Sequence, residues 1–297
     1  MRTKISLFII TALFISSTLL AQDVAEAKKD TSYWKTGKQF GLTFNDAGFT
    51  ENFSAGGQNS WGINAFLNVK GEYARDKTTW VNDLQLQYGI INITGTGRRK
   101  SIDRIFFDTK VGRKLSKNWS LVGGFNFQTQ FAEGYKYGGN PDKSDKLISN
   151  LFAPAFMTEY VGFEWKPKPF FNVVFAPGAL RQTIVSDDLV REKVGTVLQP
   201  AYGVPAGQSL QNDIGIMQIV ATFDKDIAKN VNLKFRYQMF MDSKRIANID
   251  NRFDAKLTAK INKYLSTTFD IIMVYDDDQS TKLQAAHNLG IGFLYTF

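Results

Sequence analysis

The only histidine of the chain, His287, is the first residue to consider for chemistry, because imidazole is the side chain that most often serves as a general base. It lies near the carboxyl end, in a stretch of alternating apolar residues. A catalytic histidine needs a nucleophile within hydrogen-bond reach. The loop before it offers Ser280 and Thr281, and nothing in the sequence fixes either hydroxyl beside it. We therefore expect no catalytic residue and no enzyme, and a lipid-modifying activity built around His287 is the weakest function considered.

Two short motifs resemble ligand sites but are incomplete. The run Asp276-Asp277-Asp278 offers carboxylates that suit calcium, but it lacks the spacing of a complete site. The run Ala55-Gly56-Gly57 is rich in glycine, but neither Lys-Ser/Thr nor a helix follows, as a phosphate-binding loop requires. The chain contains no cysteine, which excludes thiolate chemistry and disulfides. We predict no metal and no cofactor.

Charged residues that recur at alternate positions are the better functional candidates. In a strand such residues share one face, so they would line the interior of a β-barrel whose apolar residues point outward. The nine candidates for lining the lumen are Arg104, Asp108, Lys110, Lys234, Arg236, Arg252, Asp254, Lys256 and Lys260. A basic wall beside acidic groups would polarise an aqueous path and favour anions. The alternative is that these charges pair across strands and fill a closed lumen, and the sequence leaves both readings open.

The elements that would position these residues are strands, because apolar residues alternate through most of the chain. The periodicity predicts twelve strands, the last of which carries Leu289, Ile291 and Phe293 on one face. Short connections alternate with generally longer ones, such as 93–102 and 276–284, and an even number of strands places both chain ends on the short-turn side. This pattern is typical of a transmembrane antiparallel up-and-down β-barrel with short periplasmic turns and long extracellular loops. We assign this barrel to residues 38–297.

The two ends of the chain indicate the compartment. Residues 1–21 combine a basic start, an apolar run and a small residue, Ala21, at a plausible cleavage point, which is typical of an export signal peptide. Residues 22–37 are polar and predict a periplasmic lead-in. The last strand ends on Phe297, like the terminal signature that the outer-membrane barrel-insertion machinery reads. We therefore expect a bacterial, Gram-negative outer membrane, with its lipid and that machinery as partners.

Composition agrees with a membrane barrel and argues against a nucleic-acid binder. The chain has 36 basic and 28 acidic residues, but they alternate with apolar residues and do not cluster on one helix face. Aromatic residues make up 14% of the chain, which suits the interfacial belts of a barrel. The aromatic residues expected at the turn ends of strands are Tyr73, Trp80, Trp119, Trp165, Phe171, Phe223 and Phe297.

Several motifs resemble an uncharacterised outer-membrane barrel family that is typical of Bacteroidota. The most specific is the Asn-aromatic-x-x-Gly-Gly-x-Asn-Ser element at 52–60. Further similarity lies at 80–84, 125–131, 152–155 and 207–210. Because this family is known as a domain of unknown function, the resemblance implies a location and a fold, but no activity and no functional residues.

Two functions of different classes remain beside the enzyme. The first is a narrow, non-catalytic, porin-like channel that passes small, preferably anionic, solutes. The second is a non-conducting scaffold or accessory barrel of a larger envelope complex. The longest connection, 183–213, bears on this choice. It could fold inward as a constriction, or pack with 132–154 as an extracellular cap.

Overall fold

The structure is a computed structural model that describes residues 32–50, 58–139 and 144–296. The expected signal peptide at 1–21, most of the lead-in and Phe297 lie outside the described residues, as do residues 52–57 of the family-like motif. The only helical element within these ranges is one turn of 3-10 helix, Asp188–Val190. No helix there is long and apolar enough to cross a membrane.

Sixteen strands carry the rest of the architecture. They are β1 (Trp34–Ala47), β2 (Ser60–Arg75), β3 (Thr78–Ile93), β4 (Gly97–Lys114), β5 (Trp119–Thr129), β6 (Gly134–Lys136), β7 (Lys146–Ser149), β8 (Ala155–Lys168), β9 (Phe171–Ile184), β10 (Lys193–Val194), β11 (Val197–Leu198), β12 (Leu210–Ala228), β13 (Val231–Asp242), β14 (Ile249–Lys260), β15 (Leu265–Asp276) and β16 (Ser280–Thr296).

Twelve of these strands close into one antiparallel barrel, which confirms the predicted fold and strand number. Each pairs with the next barrel strand along the chain, and β1 closes against β16. This closing border is short, with six register pairs from Gln39 to Phe44. The β2–β3 border, in contrast, has sixteen. The four short strands form two hairpins in the loops, β6–β7 and β10–β11.

The two ends of the barrel differ in their connections, as the sequence predicts. At one end, which we call the turn end, strands are joined by short turns at 76–77, 115–118, 169–170, 229–230 and 261–264. Strand β1 begins at this end and β16 finishes there. The opposite end, the loop end, carries the two long connections, 130–154 and 185–209.

Some strands run further than the apolar pattern suggests. Strand β1 begins at Trp34, so residues 34–37 of the expected lead-in already belong to the barrel. The reason is a side-chain contact, because the Trp34 ring packs 5.4 Å from that of Tyr73 and 5.5 Å from that of Trp80. The residues after Trp34 are mostly polar, and they conceal this start from an analysis of apolar alternation.

Two connections expected to be longer are tight turns. The expected loop at 93–102 is only 94–96, and the one at 276–284 is only 277–279. The hydrogen bonds between neighbouring strands continue into these polar stretches. A strand end that is surrounded by water needs no apolar face, so apolar alternation does not reveal it. At the first turn, Gly95 and Gly97 adopt φ of 81° and 85°, values that glycine reaches without strain.

The apolar parity of the strands faces outward, as predicted. Val161, Leu289 and Ile214 are 63%, 61% and 60% exposed on the outer surface. At the turn end, Trp119 lies opposite Trp165 in the register of β5 and β8, and Trp165 contacts Phe171 at 6.3 Å. The oily side chains therefore surround the barrel, and the alternate, polar residues point into it.

Candidate functional site

The interior of the barrel holds a cavity of about 660 Å³, which we call the vestibule. Its lining includes the exposed turn residues Lys117 and Lys168, so it opens at the turn end. At its inner end it reaches Arg104 and Asp254, in the middle of their strands. The vestibule exists because the alternation of β2, β3, β4, β8, β13 and β14 sends every second, polar side chain inward.

Seven of the nine charged residues expected on the lumen wall line this vestibule. They are Arg104, Asp108, Lys110, Lys234, Arg236, Asp254 and Lys256. The other two do not. Arg252 lies nearer the loop end and donates two hydrogen bonds of 2.8 Å to Asp254. Lys260 is the last residue of β14, where its side chain is exposed at the turn end beyond the enclosed interior.

Three ion pairs join distant strands across the vestibule, and we call them the plug. They are Arg104–Asp254 at 3.4 Å, Lys234–Asp83 at 3.5 Å and Arg236–Asp108 at 3.7 Å. Five strands separate β4 from β14 in either direction around the barrel, and the same holds for β3 and β13. The first two pairs therefore cross the full width of the lumen.

Aromatic rings fill the space between these charges. The Nζ of Lys256 lies 3.9 Å from the centre of the buried Phe66 ring. The guanidinium carbons of Arg104 and Arg236 lie 4.6 and 5.3 Å from that of Phe106. In such a cation–π contact the face of the ring attracts the cation. The buried cation is therefore not surrounded by purely apolar groups. Of the two readings that the sequence leaves open, the structure has the paired charges.

An apolar cluster fills one side of the lumen near the plug. Its members are buried on the inner faces of β5, β8, β9, β12 and β13, and they are Val122, Tyr160, Val174, Ala176, Ala179, Val220 and Phe240. Sequence analysis did not assign these residues to the interior. Their small size and scattered positions among polar neighbours give no clear alternation, whereas Phe240 and Val220 do share the inward parity of Gln238 and Gln218.

The loop end is covered by the two long connections, which pack on each other and form what we call the cap. Their shared core consists of Ala153, Val185, Val190 and Val204, with Leu147, Ala201 and Tyr202 packed against it. The Tyr202 hydroxyl donates to the Ile148 carbonyl, and Lys146 pairs with Glu192. Burial raises the pKa of Tyr202 to about 12, so its hydroxyl stays protonated. The long connection therefore packs with 130–154, and its Tyr202 also lines a small cavity with Arg181 and Asp250 of the barrel.

Arg191 holds the cap together from within. Its side chain is 0% exposed and donates to Asp188 Oδ1 at 2.7 Å, to the Val204 carbonyl at 2.8 Å and to the Gln208 carbonyl at 2.6 Å. One guanidinium thus satisfies backbone acceptors on two separate turns of the connection. A sequence alone gives no signal for this role, because a charged residue in a polar loop is ordinarily solvated.

Two carboxylates make the order of the cap depend on pH. Hydrogen bonds from Asn150 and from the Leu189 N–H lower the pKa of Asp187, and Lys146 lowers that of Glu192. A lowered folded pKa gives stability that is present above the unfolded value and lost as pH falls through the folded one. Glu192 is exposed and Asp187 is half-buried at the surface, so we expect each to contribute within about 1 kcal/mol.

We therefore predict that the cap loosens below about pH 4, where both carboxylates become protonated. Hydrogen exchange of residues 185–209, corrected for its intrinsic dependence on pH, measures this. In the double variant Asp187→Asn with Glu192→Gln, exchange at neutral pH should already equal that of the acidified parent. A cap whose protection is the same at pH 3 and pH 7 contradicts the prediction.

Neither His287 nor the run 276–278 forms a catalytic or metal site in this structure, and the glycine-rich run 55–57 lies outside the described residues. His287 lies on the outer face of β16, with its ring 6.3 Å from that of Phe269. Asp278 receives two hydrogen bonds of 2.6 Å from Arg245, whose guanidinium takes the place that a cation would occupy. Among residues 32–50, 58–139 and 144–296, no group of three or more histidines and carboxylates could hold a metal ion.

Comparisons with solved structures show low sequence identity. An outer membrane channel from Pseudomonas putida F1 is 9% identical, with a TM-score of 0.40, and the alignment covers 93% of this chain and 100% of that one. The NanC porin is 9% identical, with a TM-score of 0.39 and coverages of 86% and 98%. The translocator domain of the autotransporter NalP from Neisseria meningitidis is 11% identical, with a TM-score of 0.39 and coverages of 89% and 87%.

Comparisons by sequence give one result. No curated protein matches the chain. Residues 44–135 match the profile of a family described as "Protein of unknown function (DUF3078)". This range contains the family-like motifs at 52–60, 80–84 and 125–131. The resemblance to an uncharacterised family is thereby confirmed over residues 44–135.

Proposed function

We propose that the protein is a barrel of the bacterial outer membrane and that it acts as a gated, non-catalytic channel for small, preferably anionic, solutes. The belt of apolar side chains supports the membrane location. A soluble barrel that exposed this surface would aggregate, whereas lipid matches it. A closed barrel also pairs the backbone groups of neighbouring strands around its circumference, as the hydrocarbon region demands.

The plug is the observation that supports a gate. It consists of side chains only, and its three distances, from 3.4 to 3.7 Å, exceed the usual limit of about 3.2 Å for a hydrogen bond between nitrogen and oxygen. Ion pairs made only by side chains can separate by rotation of those side chains, without movement of a strand. We infer that the structure is the closed state of the channel.

Planar-bilayer recording tests this function directly. The purified barrel should stay mostly closed and show brief openings that become more frequent at high salt, because salt screens the plug. The reversal potential in a salt gradient should indicate a preference for anions. A barrel that never opens, at any voltage or salt concentration, contradicts the proposal.

A second candidate is the non-conducting accessory barrel of a larger envelope complex, and the cap favours it. The cap adds a second closure and exposes Leu189, Val194 and Val197 at 72%, 66% and 62%. Native mass spectrometry after gentle extraction from the original membrane tests it. A partner that is lost when these three residues are replaced by serine supports the accessory barrel, and a lone chain in all conditions argues against it.

A further inference from the structure

The charges of the vestibule are unevenly compensated. Its lining contains ten basic and seven acidic side chains, a balance of +3. Six of the acids pair with six of the bases, as Glu72–Lys70, Asp83–Lys234, Asp108–Arg236, Glu164–Lys110, Asp254–Arg104 and Asp270–Lys256. The seventh acid, Asp224, accepts a hydrogen bond of 3.2 Å from Asn232. The inner wall, which sequence analysis favours for anion preference, is thus largely neutralised.

Four lysines of the lining remain, and they lie together at the turn end. Lys114 is the last residue of β4, Lys117 lies in the β4–β5 turn, and Lys166 and Lys168 lie at the end of β8. The two turns touch, since the Lys166 N–H donates to the Asn118 carbonyl at 2.8 Å. In the part of the chain that the structure describes, none of the four takes part in an ion pair. We call them the mouth lysines.

The geometry points to a binding site for a multiply charged phosphate group at the mouth lysines. This proposal names the ligand class of the vestibule on which the proposed function rests, but it concerns binding, which needs no open plug. Ammonium groups are compact charges that suit phosphate, and four of them without carboxylate partners attract a multivalent anion strongly. Glu72 is close enough to interact with Lys166, but it is already paired with Lys70 at 2.5 Å.

The same rim carries an apolar surface beside the lysines. Pro167, Pro169 and Phe170 line the vestibule next to Lys166 and Lys168. The Nζ of Lys225 lies 4.6 Å from the centre of the Phe170 ring and adds a fifth positive charge nearby. A phosphate on an organic body would therefore meet cations and an apolar contact together. This combination suits an organic phosphate better than a bare inorganic ion.

Two sources could supply such a phosphate. One is a phosphorylated solute that enters the vestibule from the periplasm. The other is the headgroup of an anionic lipid in the adjacent leaflet, because Trp119 and Trp165 lie on the outer face of the same two turns. Tryptophan at such a position marks the level of the headgroups. The chemistry of recognition is the same for both, so the experiment has to separate them.

The test measures binding of pyrophosphate to the purified full barrel in zwitterionic detergent by titration calorimetry. The variant replaces Lys114, Lys117, Lys166 and Lys168 by Gln. The control removes four charges near the turn end that do not line the vestibule, by replacing Lys77, Arg113, Lys229 and Lys263 with Gln. We expect the first variant to bind at least about tenfold more weakly than the parent, and the control to keep most of the affinity, because Coulomb attraction falls with distance.

A second arm identifies the source of the phosphate. In nanodiscs of phosphatidylcholine, the parent should bind pyrophosphate as it does in detergent. If added phosphatidylglycerol removes this binding, the lipid headgroup occupies the site, and if binding persists, the site serves a soluble phosphate. Equal binding by the mouth variant and the parent, or an equal loss in the control, would overturn the proposal. If the barrel binds pyrophosphate but never conducts, the phosphate site is supported and the channel function is refuted.

Discussion

Replacing Asp254 by Asn is expected to increase the open probability of the barrel by at least about 100-fold, because loss of one partner of a buried ion pair costs about 3–5 kcal/mol and 1.4 kcal/mol is a tenfold change. Asp254 compensates Arg104 across the lumen at 3.4 Å and Arg252 along its own strand at 2.8 Å. Without its charge, these two arginines and the nearby Arg236 repel each other. The cross-lumen contact is then replaced by hydrated, separated guanidinium groups. Single-channel recording gives the open probability.

The matched control is Glu72→Gln. It also removes one acid from the vestibule, but Glu72 pairs with Lys70 on the same strand and not across the lumen. We expect its open probability to equal that of the parent. Heat-modifiable gel mobility shows whether each variant is folded, so that a leak from a damaged barrel is recognised. If folded Asp254→Asn stays closed like the control, the plug is not the gate.

The second large effect is expected at Arg191, where Ala should release the cap. The change deletes three hydrogen bonds, and the Val204 carbonyl then keeps only the bond of 3.1 Å from the Ala201 N–H. A hydrogen bond from a charged donor contributes about 1.5–3 kcal/mol, so cutting within residues 185–209 by proteinase K should accelerate by about tenfold or more. Reconstituted vesicles with the loop end outside provide the substrate.

Two further variants separate geometry from charge at this position. Arg191→Lys keeps the charge but cannot make three directed contacts, so it should resemble Ala. Lys193→Ala removes an exposed cation from the same loop and should be cut as slowly as the parent. Slow cutting of Arg191→Ala would mean that the apolar core of the cap, around Val190 and Val204, suffices to hold it.

The barrel could be predicted from the sequence because an apolar outer surface around a polar interior requires strict alternation along the strands. Leu289, Ile291 and Phe293 alternate because each second residue faces outward. That constraint ends near the ends of the strands. The polar residues at 98–101 of β4 and the start of β1 at Trp34 were therefore missed. Backbone hydrogen bonds to a neighbouring strand stabilise these segments. Such bonds do not depend on side-chain polarity, so the segments show no alternation of apolar residues.

The plug was beyond sequence analysis for a different reason. The inward parity of Arg104 and Asp254 was predicted, but their contact depends on barrel diameter and strand stagger, which periodicity does not determine. The mouth lysines, in contrast, were within reach. Lys166 and Lys168 share the parity of the buried Glu164, and Lys114 that of Lys110. If the inward-facing alternation of β4 and β8 is continued to the ends of these strands, it places Lys114, Lys166 and Lys168 beside the lumen.

The brief β1–β16 border has a consequence for how the cylinder is assembled and pulled apart. Six register pairs join this border, against sixteen between β2 and β3, so it is the line along which a tensile load should part the sheet first. The state closest in free energy to the closed barrel is then an open, curved sheet. In that sheet only the pairing between β1 and β16 is lost. Because the β1–β16 pairing is short, this open sheet leaves few additional backbone N–H and C=O groups unpaired at its two edge strands. The free-energy barrier to closing the barrel within a bilayer is therefore low.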